Sequence, residues 1–200
     1  MTFSDEITKA MERLRIQERK TESLSFGTFE ECRNMIMEIF CRVDQSITMS
    51  NLVWLKQYDE VASWMSDTQG KGLVLTGRCG TGKSLILRNV LPICFLTRKR
   101  TVVPTYHAKE CMSIEKMKDV LNRRIIAIDD VGTETPIINY GQKYDVIHDL
   151  ILSIEDNNKT LLITSNLTGK ELQDRYDVRA MDRLVKMCKI IKFDNEKSLR

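Results

Sequence analysis

The sequence is poor in the residues that build metal centres and covalent scaffolds. Its two histidines, His107 and His148, lie far apart. Its six cysteines (Cys32, Cys41, Cys79, Cys94, Cys111 and Cys188) include no C-x-x-C pair. That scatter argues against a zinc site and for reduced thiols. Long hydrophobic runs are also lacking: the most apolar span, "LILRNVLPICFL", is broken by Arg88 and Pro92 and is too short to cross a bilayer. The opening "MTFSDEITKA" has neither the basic start nor the apolar core of a secretory signal. These absences lead us to expect a cytoplasmic chain with no membrane partner. A net charge of +3 is too small to name a nucleic-acid partner by itself. There is no internal repeat and no low-complexity tract.

What is present suffices for one full core with a small extension, since the chain has 200 residues, 42% of them hydrophobic. Up to about residue 45 the pattern is helical. Ile7, Ala10, Met11 and Leu14 form a narrow stripe, followed by Phe29, Cys32, Ile36, Ile39 and Phe40 in "TFEECRNMIMEIF". A third helix is predicted over "NLVWLKQYDEVASWM", and "SDTQGKG" ends it with turn residues. From Gly72 the rhythm changes. Short apolar strands ("LVLTG", "TVVPTYH", "IIAIDD", "TLLITSN", "CKIIKF") alternate with helical segments. Uniformly apolar strands between helices predict a parallel sheet covered on both faces. Pro92 should kink or shorten the helix after "LVLTG", and Pro104 should sit at a strand end or sheet edge. "QKYDVIHDLILSIEDNN" reads as one amphipathic helix, and Thr168-x-x-Glu171 as a capping box opening another. The expected division is a helical extension over 1–45 and a three-layer α/β core over 46–200.

Within that core, "GRCGTGKS" at residues 77 to 84 fits G-x-x-x-x-G-K-[ST], with the strand and helix on either side that the motif requires. A chance glycine-rich turn would lack those flanks. Gly77, Gly80 and Gly82 let backbone N–H groups approach phosphate oxygens, and the following helix turns its positive end to the same anion. Lys83 should reach the β- and γ-phosphates, and the Ser84 hydroxyl should bind Mg²⁺. The candidate cradle is Gly77, Arg78, Cys79, Gly80, Thr81, Gly82, Lys83, Ser84 and Leu85. Cys79 reads either as a thiol sensitised by this field or as a tolerated loop residue.

A nucleotide hydrolase also needs carboxylates at a neighbouring strand end. "IIAIDD" supplies Asp129, placed to hold Mg²⁺ through water, and Asp130, a base or an orienter of the attacking water. "LLITSN" brings Thr164, Ser165 and Asn166 to the same sheet edge. There Asn166 can bond the attacking water or the γ-phosphate.

In this order and at these spacings, "LVLTGRCGTGKS", "IIAIDDVGTE", "LLITSNLTGKEL" and "RYDVRAMDRLVKM" resemble the AAA+ ATPases of the DnaC/DnaI helicase-loader type, with the IstB-type transposition ATPases as close cousins. The match spans roughly residues 45 to 200. It implies an α/β P-loop NTPase fold of the AAA+ ASCE kind with a five-stranded parallel sheet and no or a minimal C-terminal lid. It further implies ATP and Mg²⁺ as cofactors, Asp129 and Asp130 as Walker B, Asn166 as sensor 1, and Arg183 as an arginine finger with Arg179 one turn earlier. The bland reading of those arginines is a solvated helix face. Arg200 stands near where relatives carry a sensor 2 arginine, and Asp177 where they often carry glycine.

The resemblance implies a homo-oligomer on single-stranded DNA, with a replicative helicase or a transposase as partner. Candidate DNA contacts are Arg98, Lys99, Arg100, Lys109, Lys116, Lys118, Arg123 and Arg124, with Tyr106 for stacking. The first helix either docks a partner or packs on its own domain. A P-loop small-molecule kinase and a nucleotide-sensing module with negligible hydrolysis stay open as rivals, since Asp130 is a shorter acid than the usual glutamate.

Overall fold

Five parallel strands form the sheet in the order β2-β3-β6-β1-β7, with β6 between the strand that enters the P-loop and the strand that carries the acids. The computed structural model describes residues 2–14, 22–112, 114–139, 142–156 and 159–193. In chain order the strands are β1 Gly72–Gly77, β2 Thr105–His107, β3 Ile125–Asp129, a hairpin of β4 Ile137–Asn139 and β5 Gln142–Tyr144, β6 Thr160–Thr164 and β7 Cys188–Phe193. The helices are α1 Phe3–Arg13, α2 Phe29–Val43, α3 Lys56–Ser66, a run α4 that begins at Lys83 and ends at Lys99, α5 Ile114–Leu121, α6 Val146–Asp156 and α7 Gly169–Met187.

The strands are apolar on both sides because both sides are covered. Leu73, Leu75, Ala127, Leu162, Ile191 and Phe193 face a core built with α2, α3 and α4. Val74, Ile126, Ile128, Leu161 and Ile163 face a second core built with α5, α6 and α7. Of the residues before 46, α2 sinks Cys32, Ile36, Ile39 and Phe40 into the first core, whereas α1 buries none of its residues. Helix starts follow their caps: Thr2 with Asp5, Thr28 with Glu31 and Thr168 with Glu171 form reciprocal capping boxes.

Several local expectations are corrected. The third helix starts only at Lys56, because Leu55 is the extended N-cap residue. The segment 142–144 is strand, paired antiparallel with 137–139, and its helix begins at Val146. Of the two outcomes expected at Pro92, shortening does not occur and a local distortion of α4 does. Proline has no N–H, and its ring crowds the carbonyl four residues back. The run accommodates it with a π turn, Ile86–Val90, between Lys83–Leu85 and Leu91–Lys99, where the Leu91 N–H bonds back to the Ile86 carbonyl. Pro104 does immediately precede an edge strand, β2, which is only three residues long.

Gly72 opens β1 between β6 and β7, where a Cβ would lie 2.1 Å from the Leu161 carbonyl oxygen and 3.0 Å from Cys188 Sγ. Neither neighbour has room to retreat. Gly72→Ala is expected to destabilise the chain by about 2 kcal/mol, the scale of overpacking. Urea unfolding checks this, and an unchanged midpoint would refute the crowding argument.

Candidate nucleotide site

The P-loop follows β1 directly. Gly77 (φ 113°), Gly80 (φ 77°) and Gly82 (φ 77°) all take backbone conformations that side chains disfavour. Gly82 has a second reason: a Cβ there would meet the Tyr58 hydroxyl at 2.8 Å. That buried hydroxyl donates to the Thr81 carbonyl at 3.2 Å, so α3 braces the loop from behind. Lys83 is 4% exposed and donates to the carbonyls of Gly77 (2.8 Å) and Arg78 (2.6 Å). A buried ammonium needs such acceptors, and its loop supplies them. Ser84 and Leu85 are half-buried, while Arg78 and Cys79 are exposed.

The acids sit at the carboxyl edge of the sheet. Asp129 is 1% exposed. Its Oδ1 accepts from the Thr164 hydroxyl, and its Oδ2 from Arg88 Nε at 2.5 Å. The Thr164 oxygen also accepts the Asp130 N–H at 3.0 Å, so one buried hydroxyl joins both acids to β6. Asp130 is left-handed (φ 57°), a conformation aspartate tolerates better than most residues. Its carboxylate accepts from Asn166 Nδ2 at 2.9 Å and lies 3.4 Å from His107 Nε2. The Lys109 N–H donates to His107 Nδ1 at 3.2 Å, which leaves the ring hydrogen on Nε2, facing Asp130.

A cleft of about 480 Å³ is lined by Cys79 to Leu85, Arg88, Asp130 and Asn166, together with Tyr58 and the apolar Ile47, Leu52 and Val53. Its lining joins polar groups that suit phosphates to apolar ones that suit a base or sugar. Ser84 and Asp129 offer hard oxygen donors of the type Mg²⁺ takes, most of its shell coming from water and phosphate. Among the described residues no group of three or more His, Cys, Asp or Glu side chains is placed to hold a metal ion.

Behind the acids, "DDVGTE" has a structural logic. Gly132 (φ 100°) leaves no space for a Cβ, which would meet Leu167 Cδ1 at 2.5 Å. Glu134, 6% exposed, accepts from the Gly132 N–H at 2.8 Å, from Arg175 and from the buried Tyr176 hydroxyl. Burial first, and then that bond, push the Tyr176 phenol upward from its usual range. Arg175 also pairs with Asp145, so α6, α7 and the acid loop share one network.

The two late arginines do not line this chain's own cleft. Arg183 is half-buried and donates to the Leu152 carbonyl on α6, whereas Arg179 is exposed. Asp177 (φ 73°, ψ 170°) breaks α7 just before them, in a conformation glycine would take more cheaply, and its carboxylate caps the Ala180 N–H at 2.9 Å. Hydrogen bonding to Ala180 holds that carboxyl below its ordinary range. Arg200 lies outside the described residues. Sequence reading missed Tyr58, Arg88, His107 and Glu134; for Glu134 the quoted "DDVGTE" was the available signal.

Sheet order, P-loop and acid edge together define a P-loop NTPase fold of the AAA+ kind. Among solved structures, the DnaC helicase loader is similar at TM-score 0.55 and 17% identity, over 72% of this chain and 94% of that one. DnaI is similar at 0.52 and 20% identity, over 65% of this chain and 73% of that one. AMPPCP-bound DnaA from Aquifex aeolicus is similar at 0.53 and 13% identity, over 78% of this chain and 52% of that one. At such identities the likeness is one of fold, and in fold the resemblance to the DnaC/DnaI type holds. No protein-family profile and no curated protein sequence matches the chain.

Two outcomes follow from this geometry. Glu134→Ala strands the buried Tyr176 hydroxyl and weakens the hold on Arg175, and should cost about 3 kcal/mol in urea unfolding; a loss within error would show the network to be dispensable. Iodoacetamide at pH 8 should alkylate Cys79 first. Cys32 and Cys111, pushed up to about 11 by burial, and Cys94 and Cys188, pushed up to about 12, should stay unmodified. Peptide mass spectrometry reads the order, and early labelling of a buried cysteine would contradict it.

Proposed function

We propose that the chain is a cytoplasmic ATPase that works as a head-to-tail oligomer on single-stranded DNA and helps to place a replicative helicase. The observation that carries the reading is the convergence of Lys83, Ser84, Asp130 and Asn166 on one cleft, with Asp129 buried at its edge. Lys83 exchanges its loop carbonyls for the β- and γ-phosphates. Ser84 and Asp129 would hold Mg²⁺, which when bound would supply charge neutralisation at the phosphates. Asp130, gripped by Asn166 and His107, orients the attacking water.

The arginines act on a neighbour's nucleotide. Arg179 is the better placed of the two, because Arg183 is engaged with Leu152. Likeness in fold to DnaC and DnaI favours a helicase over a transposase as partner. Helix α1, with no buried residue and with Phe3, Ile7 and Leu14 exposed, suits partner docking. No helix among the described residues is long and apolar enough to cross a membrane. For DNA, three of the candidate cations, Lys99, Arg123 and Arg124, meet Lys71 and Lys159 in a second cleft of about 610 Å³ at the amino ends of the strands, away from the nucleotide.

The test is steady-state ATP hydrolysis with and without single-stranded DNA. Lys83→Ala should lower turnover about 100-fold. Arg179→Ala or Arg183→Ala should also be impaired, and mixing the impaired variant with Lys83→Ala should restore activity. A rate indifferent to DNA and to both arginines would overturn the reading in favour of a kinase or a nucleotide sensor.

A further inference from the structure

We propose that Arg88 is the resident counter-charge of Asp129, and that Mg²⁺ arriving with the nucleotide must displace it. The inference rests on the nucleotide reading of the cleft. Asp129 is 1% exposed, and a carboxylate so placed needs compensation. Thr164 supplies a neutral hydrogen bond to one oxygen; Arg88 supplies the positive charge to the other. Nearby, Lys83 donates to loop carbonyls and His107 faces Asp130.

The helix sets up the competition. Ser84 and Arg88 are four residues apart, so the hydroxyl that would bind the metal and the guanidinium point along one face. Both line the nucleotide cleft. A guanidinium bonded to Asp129 Oδ2 already supplies the positive charge that a hydrated metal held by Ser84 and Asp129 would bring, so the two cations repel each other at one carboxylate. Arg88 has somewhere to go. It also borders a cavity of about 290 Å³ lined by Pro92, Val103, Thr105, His107 and Glu110, whose carboxylate accepts the His107 N–H at 3.2 Å. The side chain is 47% exposed, so the pair opens toward solvent rather than through the core. The π turn that Pro92 imposes carries Arg88 at its middle.

The experiment titrates Mg²⁺ against binding of a fluorescent ATP analogue to wild type, Arg88→Ala and Arg88→Lys. With the competitor gone, the half-saturating Mg²⁺ concentration of Arg88→Ala should fall about tenfold, the scale of one partly exposed ion pair. Arg88→Lys should stay near wild type. An unchanged or raised midpoint in Arg88→Ala would overturn the proposal. So would an equal loss of affinity with and without Mg²⁺, which would make Arg88 a phosphate ligand. If Arg88→Ala does not fold in EDTA, Arg88→Gln, which keeps volume and hydrogen bonding but not charge, is read the same way. Wild type that binds no nucleotide at any Mg²⁺ concentration would instead sink the nucleotide reading itself.

Discussion

A carboxylate buried at the end of a parallel strand is the constraint on which the rest of this structure depends. Asp129 is all but inaccessible, and such a group is tolerated only with partners close at hand. Those partners dictate architecture. Thr164 must stand beside it, so β6 lies next to β3; Leu75 of β1 registers with Thr164, so the P-loop leaves the sheet one strand further along. Arg88 must reach it from α4, which ties the helix after the P-loop to the same edge. One buried charge thus fixes the mutual placement of three strands and a helix.

A second tier of contacts aims the other acid. Asp130 sits in a left-handed conformation stabilised by the bond from its N–H to Thr164, and this turns its side chain toward Asn166 and His107. The loop that follows is pinned by Glu134 to Arg175 and Tyr176 on α7. Helix α7 is therefore linked to the loop that follows Asp130 through a short, charged and mostly buried chain of bonds.

Much of this was legible in the sequence because it is written in local patterns. The P-loop, the apolar strand ending in Asp129 and Asp130, and the polar tip at Asn166 are each contiguous, and their order set the class of fold. What was not legible depends on partners distant in sequence. Arg88 reads as an interruption in a hydrophobic helix until Asp129, forty-one residues later, appears beside it. Tyr58 reads as a core aromatic until the backbone of Thr81 arrives at its hydroxyl. The β4–β5 hairpin is too short for a period of two to be recognised, and its second strand runs almost directly into α6, so the two blurred into one predicted helix. At Pro92 the rule was sound but its outcome was not unique, because a widened turn satisfies proline as well as a break does.

The break at Asp177 bears on the proposed action in trans. It makes Val178 the start of a new helical piece, with Arg179 in its first turn. Cations are disfavoured there, because the exposed N–H groups already carry positive potential. Asp177 offsets part of this by capping Ala180, but Arg179 itself gains nothing from its own helix. Such a placement makes physical sense where an anion is delivered from outside the chain: helix end and guanidinium then act on it together. Arg183, one turn on, donates to a carbonyl of α6 and so holds that helix piece against the body of the protein. In the proposed oligomer that bond steadies the helix piece whose two arginines act on the neighbour's nucleotide.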